Sequence, residues 1–290
     1  MIILLTGAEG MLGKDLIPVL ARYGETHCVD IHDFDVSDSK ACDKYIQDIR
    51  PDLVVHTAAY TRVDECEKNR DIALKVNHLG TLNIANACHD VGARLIYYST
   101  DYVFDGLSDH PYTEDAIPNP LSVYGYSKLM GENEIRKCLP DNSLIIRTSW
   151  LFGNGGNNFI DTILKLAKTK PELRIVNDQK GCPTYTPDLS HATGLAIEHS
   201  ITGILNICNS GIVSWYGFAK YALDLVSPST IIEPIETSDY PLPAKRPVFS
   251  ALSLKKLRRL TGYDPPLWQN AVFRFLSQKD DLTLQKEHDV

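Results

Sequence analysis

No C-x-x-C pair occurs among the seven cysteines, at positions 28, 42, 66, 88, 138, 182 and 208, and seven is an odd number. Neither a disulfide framework nor a zinc site is therefore indicated, and the cysteines are expected to be buried thiols. The nine histidines are scattered, and the one local group, His27 and His32 around Cys28, has no ligand spacing and reads as structural. There is no apolar run long enough to span a bilayer. Met1-Ile2-Ile3-Leu4-Leu5 enters a glycine turn with neither a basic region nor a cleavage site, and reads as the buried first strand of a cytoplasmic protein without a membrane partner. Positive charge is short as well: 29 Lys and Arg stand against 37 Asp and Glu, a net charge of −8. That balance argues against non-specific nucleic-acid binding, so any anionic ligand must be held by local cations or backbone amides. What remains, at 290 residues with 43% hydrophobic and 23% charged positions, is a soluble globular chain. It is long enough for one large α/β domain, or for one such domain with a smaller lobe.

The first feature present is a strand, a glycine turn and a helix. Ile2 to Leu5 is a β-type run, and Thr6-Gly-Ala-Glu-Gly-Met-Leu-Gly13 opens a helical pattern through Leu16, Ile17, Val19 and Leu20. Gly7 permits a tight turn, Gly10 lets backbone approach a pyrophosphate without a Cβ in the way, and Gly13 lets helix and strand pack closely. The backbone of Met11 and Leu12 then opens the helix whose free N–H groups face the phosphates. A second strand, Thr26 to Val29, ends at Asp30, where a dinucleotide-binding unit places the acid that bonds the adenosine ribose. An acid there disfavours a ribose 2′-phosphate and so favours NADH, although accessory contacts could admit NADPH. Asp35 and Val36 follow in a position to touch the adenine.

Strands at Leu53 to Thr57, Arg94 to Ser99 and Leu144 to Thr148 alternate with helices at Ser39 to Arg50, about Asp71 to Val91, and after Pro120. The fold expected is α/β, a Rossmann-type doubly wound parallel sheet with ligands at the carboxyl ends of its strands. Those ends carry Ala58-Ala59-Tyr60, Ser99-Thr100-Asp101-Tyr102 and Thr148-Ser149-Trp150. Residues 1–150 read as the dinucleotide-binding domain. Residues 151–290 read mainly as a smaller substrate-binding lobe, part of which returns to the first domain. This second part has helices at about Asp188 to His199, Tyr216 to Val226 and Trp268 to Ser277. Its strands are expected at Leu173 to Val176, Gly203 to Ile207 and Ile231 to Pro234, and the last dozen residues are expected to fray.

Pro118 and Pro120 precede a helix capped by Ser122, and on it Tyr124 and Lys128 stand four residues apart on one face. Tyr126 points elsewhere. A neighbouring ammonium lowers a phenol's pKa of about 10 by roughly 1–3 units, which makes an acid able to protonate an alkoxide. The spacing alone is also that of an ordinary exposed helix.

With the glycine turn, Thr100, Tyr124 and Lys128 in this order, the chain resembles the extended short-chain dehydrogenase/reductase superfamily, and within it the dTDP-4-dehydrorhamnose reductase family. The resemblance covers nearly the whole chain. It rests on Tyr98-Ser-Thr-Asp-Tyr-Val-Phe104, Val123-Tyr-Gly125 with Lys128, Arg147-Thr-Ser-Trp150, Asn157-Asn-Phe159, Asn177-Asp-Gln-Lys-Gly-Cys-Pro-Thr184 and Tyr240-Pro-Leu-Pro-Ala-Lys-Arg-Pro247.

The resemblance implies reduction of a 4-keto sugar carried on dTDP by NADPH or NADH. Tyr124 would be the general acid, Lys128 the residue that holds the nicotinamide ribose and lowers the tyrosine pKa, and Thr100 the hydrogen-bond donor to the sugar carbonyl. Asp101 and Tyr102 would contact the sugar, Trp150 would line the nucleotide pocket, and Arg246, beside Lys245, would neutralise the diphosphate. Ala58, Ala59, Tyr60 and Tyr98 would complete the cofactor site. Phe249 and Ala251 depart from the polar or basic residues expected after Arg246-Pro247. Some relatives bind Mg²⁺ through glutamates. Asp15 and Asp188 stand there in this chain, and two such carboxylates leave the metal unassigned. A homodimer is left open. The alternatives are another sugar-nucleotide reductase, dehydratase or epimerase, against which Tyr102 stands where dehydratases carry an acid, and a non-catalytic subunit like the regulatory β subunit of methionine adenosyltransferase.

Overall fold

The first strand, Ile2–Thr6, alternates its side chains between two separate cores: Ile3 and Leu5 face one and Leu4 the other. The fourth strand, Arg94–Thr100, divides likewise, with Ile96 and Tyr98 on one face and Leu95 and Tyr97 on the other. A strand buried on both faces reads as an unbroken apolar run, and it needs helices above and below it. The computed structural model describes residues 1–279. It has a six-stranded sheet in the order Gly203–Asn206, Ser143–Thr148, Arg94–Thr100, Leu53–His56, Ile2–Thr6, Glu25–Val29, with every pair parallel. Helix Met11–Leu20 packs with Thr186–Glu198, and helix Ser39–Ile49 packs with Thr81–Val91. The expected doubly wound sheet is the one observed.

Strand order reverses between Ile2–Thr6 and Leu53–His56, which opens a crevice at the carboxyl end of the sheet, where the strand ends point their loops. The chain beyond 150 builds a third core around Phe152, Phe218, Trp268 and Phe275. It also adds a parallel pair, Glu172–Val176 with Ile231–Ile235.

Three local readings change. Helix Val63–Lys68 lies where no element was expected. The helix expected from Asp71 to Val91 is two α segments, Arg70–Leu74 and Thr81–Val91, joined by a π-helical turn at Lys75–Gly80. Five cysteines are buried, but Cys138 is half-buried and Cys28 exposed, because the strand carrying Cys28 is the sheet edge. The fraying expected of the last dozen residues falls almost wholly outside the described residues.

Candidate active site

Ser122 caps helix Val123–Cys138 by accepting a bond from the Gly125 N–H at 3.2 Å, and Glu67 accepts from the Val123 N–H at 2.8 Å. A Cβ at Gly125 would collide with the Tyr102 carbonyl oxygen. The glycine therefore lets the helix press against the turn after the fourth strand and seat Tyr124 near Thr100, whose hydroxyl acts to lower the tyrosine pKa. Thr100 Oγ1 also lies 3.1 Å from Asp101 Oδ1, and the Tyr102 ring meets the Tyr124 ring edge-on at 5.7 Å. Lys128 Nζ sits 4.2 Å from the centroid of the Tyr97 ring.

Thr100, Asp101, Tyr102, Tyr124 and Lys128 line a cleft of about 1000 Å³. Gly7, Gly10, Met11, Leu12 and Gly13 line it, with Asp30, Asp35 and Val36 toward the second strand. Ala58, Ala59, Tyr60, Tyr98 and Trp150 line it as well. Arg246 does not. It makes a two-pronged ion pair with Asp64 at 3.0 and 2.7 Å, beside Tyr102, while the Ala244 N–H donates to the same carboxylate at 3.1 Å. Lys245 is exposed, and Ala251 is apolar because it is wholly buried in the core.

The glycine turn fits a dinucleotide. Gly7 has φ +73°, and a Cβ there would lie 2.7 Å from the Ala58 nitrogen, so only glycine makes this turn without strain. The following helix has no side-chain cap at Gly10, which leaves N–H groups of its first turn for an anion. The Asp30 carboxylate is fixed by the Glu9 and Ile31 N–H groups at 3.0 and 2.8 Å.

Magnesium does not fit. Asp15 accepts a bond from Thr186 Oγ1 at 2.6 Å, and Asp188 is held by Asn209 at 2.6 Å and Arg274 at 2.5 Å. Among the described residues no group of three or more His, Cys, Asp or Glu side chains could hold a metal ion.

The electrostatics differ from the simple expectation of a lysine acidifying a tyrosine. Burial raises the Tyr124 pKa above its ordinary value, opposed by the hydrogen bond with Thr100. Lys128 is itself pushed down to about 7 by burial, against the pull of Glu132. Asp101 is pushed up to about 7 by burial, with hydrogen bonds only partly offsetting it. The phenol thus holds its proton firmly, while lysine and carboxyl both titrate near neutrality.

Residues that the sequence reading passed over also build the site. Asn77, on the π-helical turn, accepts from the Tyr60 N–H at 2.8 Å and donates to the Tyr60 carbonyl at 2.9 Å and to Ser127 Oγ at 3.0 Å. It ties the third-strand loop to the helix of Tyr124, and π-turns of this kind recur at functional sites. Trp215 stacks on Trp150 with centroids 3.5 Å apart, and both rings line the cleft. Trp150 itself has φ +47°, a strained backbone for so bulky a residue at the cleft wall.

A parallel doubly wound sheet, a glycine turn at its switch point and a Tyr–Lys helix beside the cleft define an extended short-chain dehydrogenase/reductase. The chain belongs to the family described as RmlD substrate binding domain, whose profile matches residues 1–280. It is 40% identical to the spore coat polysaccharide biosynthesis protein SpsK of Bacillus subtilis, over 96% of this chain and 97% of that one. It is 36% identical to the dTDP-4-dehydrorhamnose reductase of Escherichia coli, over 95% and 97% of the two chains. The crystal structure of dTDP-4-dehydrorhamnose reductase from Bacillus anthracis in complex with NADP superimposes with a TM-score of 0.91. That comparison is at 36% identity and covers 96% of this chain and 99% of that one.

Proposed function

We propose that this chain reduces the C4 ketone of dTDP-4-dehydro-L-rhamnose with NADPH or NADH to give dTDP-L-rhamnose. The observation that carries the reading is that Thr100, Tyr124 and Lys128 line one cleft together with the glycine turn. The names of the reductase relatives supply the sugar and its carrier.

When bound, the reduced dinucleotide would supply a hydride, one hydrogen with two electrons, to the sugar carbon, and this chain's residues do the rest. Gly7, Gly10 and the first turn of the helix after them hold the pyrophosphate, while Asp30 holds the adenosine ribose and Lys128 the nicotinamide ribose. Thr100 Oγ1 and Tyr124 Oη bond the sugar carbonyl oxygen and orient it. As charge develops on that oxygen, Tyr124 gives up its proton, and the lysine ammonium stabilises the phenolate left behind. Trp150 and Trp215 offer stacked aromatic faces to the nucleotide base. Arg246 exchanges Asp64 for the substrate diphosphate, a role suited to a planar guanidinium. Asp30 weighs toward NADH. Arg62, which also lines the cleft, offers a cation to the 2′-phosphate of NADPH.

Pure protein mixed with dTDP-4-dehydro-L-rhamnose and either dinucleotide should consume nicotinamide absorbance in proportion to sugar. Tight dinucleotide binding without consumption would instead favour a regulatory subunit.

A further inference from the structure

On helix Val123–Cys138 the four-residue step from Tyr124 to Lys128 continues to Glu132, so a phenol, an ammonium and a carboxylate share one face. Lys128 is 3% exposed and Glu132 1%. Arg147, on the fifth strand and 1% exposed, grips Glu132 with Nε to Oε1 at 3.0 Å and Nη2 to Oε2 at 2.7 Å. Its remaining nitrogen donates to the Glu114 carbonyl at 3.2 Å, and its guanidinium lies 5.1 Å from the Phe104 ring centroid. Neither Glu132 nor Arg147 lines the cleft. A buried ion pair seldom stabilises a fold more than apolar residues of the same volume would, so stability alone does not account for this one.

We propose that Glu132, oriented by the two-pronged grip of Arg147, is a positioning residue that presents a carboxylate one helical turn from Lys128 and so supports the ammonium seated over Tyr97. The inference rests on the function proposed above for the use of Lys128, but not on the identity of the sugar. The groups around Lys128 are Tyr124 and Glu132, each one turn away on its own helix, Tyr97 on the fourth strand and His56 on the third. His56 is neutral, held down to about 3 by burial and then by Lys128, and it shares hydrogen bonds with Thr6 at 2.7 Å and Thr81 at 3.4 Å. Of these groups Glu132 is the anion. Burial works to deprotonate the lysine, and a carboxylate one helical turn away opposes it. A carboxylate at this depth would itself take up a proton without a cation, and arginine is the side chain that stays charged there. The chain of charge thus runs from Arg147 through Glu132 to Lys128.

The test is NADPH affinity as a function of pH, read by quenching of tryptophan fluorescence. No sugar is needed, so a wrong sugar assignment leaves this result untouched. The wild type should lose affinity on the alkaline side as Lys128 deprotonates. Glu132→Gln should move that limb down by about one pH unit, the effect of removing one nearby opposite charge. Glu132→Asp, which keeps the charge, should restore most of it. Because Glu132→Gln leaves Arg147 unpaired and can unfold the chain, the double variant Glu132→Gln/Arg147→Met is measured alongside and should show the same displacement. A folded variant that loses affinity equally at every pH, or whose alkaline limb overlies the wild type, would overturn the proposal, as would a wild type with no alkaline limb.

Discussion

Tyr124 keeps its proton because burial disfavours the phenolate, which makes the residue a donor only to a stronger base such as a developing alkoxide. Tyr124→Phe should therefore lower turnover by about a hundredfold or more, with dinucleotide affinity nearly unchanged in a fluorescence titration. The two groups that titrate near neutrality both cost stability, with opposite pH dependence. Lys128 is lowered to about 7 in the fold against about 10.4 when unfolded, so the unfolded chain binds the extra proton between those values. Its destabilisation is full below pH 7 and fades as pH rises toward 10. Lys128→Met should raise the thermal midpoint at pH 6 by several degrees and by less at pH 9, while activity is lost. Asp101 is raised to about 7 against about 3.9 unfolded, so the native state holds the extra proton across that window. Its penalty grows as pH rises from 4 to 7. Asp101→Asn should stabilise the protein at pH 8 and do little at pH 4, a contrast that thermal melts in two buffers would show.

At the scale of elements, the turn from the first strand into its helix depends on Gly7. Any Cβ there meets the Ala58 backbone and forces a left-handed φ of +73° on a residue that resists it by about 1–2 kcal/mol. Gly7→Ala should lower the melting temperature and weaken NADH and NADPH alike in calorimetry. This turn was legible in the sequence because its glycines fall between an apolar strand and an amphipathic helix, and Ser122 was legible as a cap because prolines isolate it. The π-helical turn at Lys75–Gly80 was not, since one added residue in a helix leaves the surrounding pattern almost intact. Helix Val63–Lys68 is too short, at six residues, for a period to appear. Both omissions matter, because they carry Asn77 and Asp64.

For the whole molecule, the parallel sheet was readable from apolar runs spaced by helices, and every expected site residue but Arg246 lines one cleft. What the sequence concealed are partnerships between residues far apart in the chain, each of them chosen by tertiary packing. Arg246 finds Asp64 182 positions away, Trp150 meets Trp215, and Arg147 closes on Glu132. Spacing rules reach only along one element, so a lone arginine in a proline-rich loop showed its charge but not its partner. The central claim is that this cleft joins a dinucleotide and a keto sugar for direct reduction. It is tested most directly by turnover with NADPH deuterated at the transferable C4 position and dTDP-4-dehydro-L-rhamnose, followed by NMR of the product. The account predicts one deuterium at C4 of the sugar for each dinucleotide consumed. Product without label at C4, or bound dinucleotide that is never consumed, would contradict it.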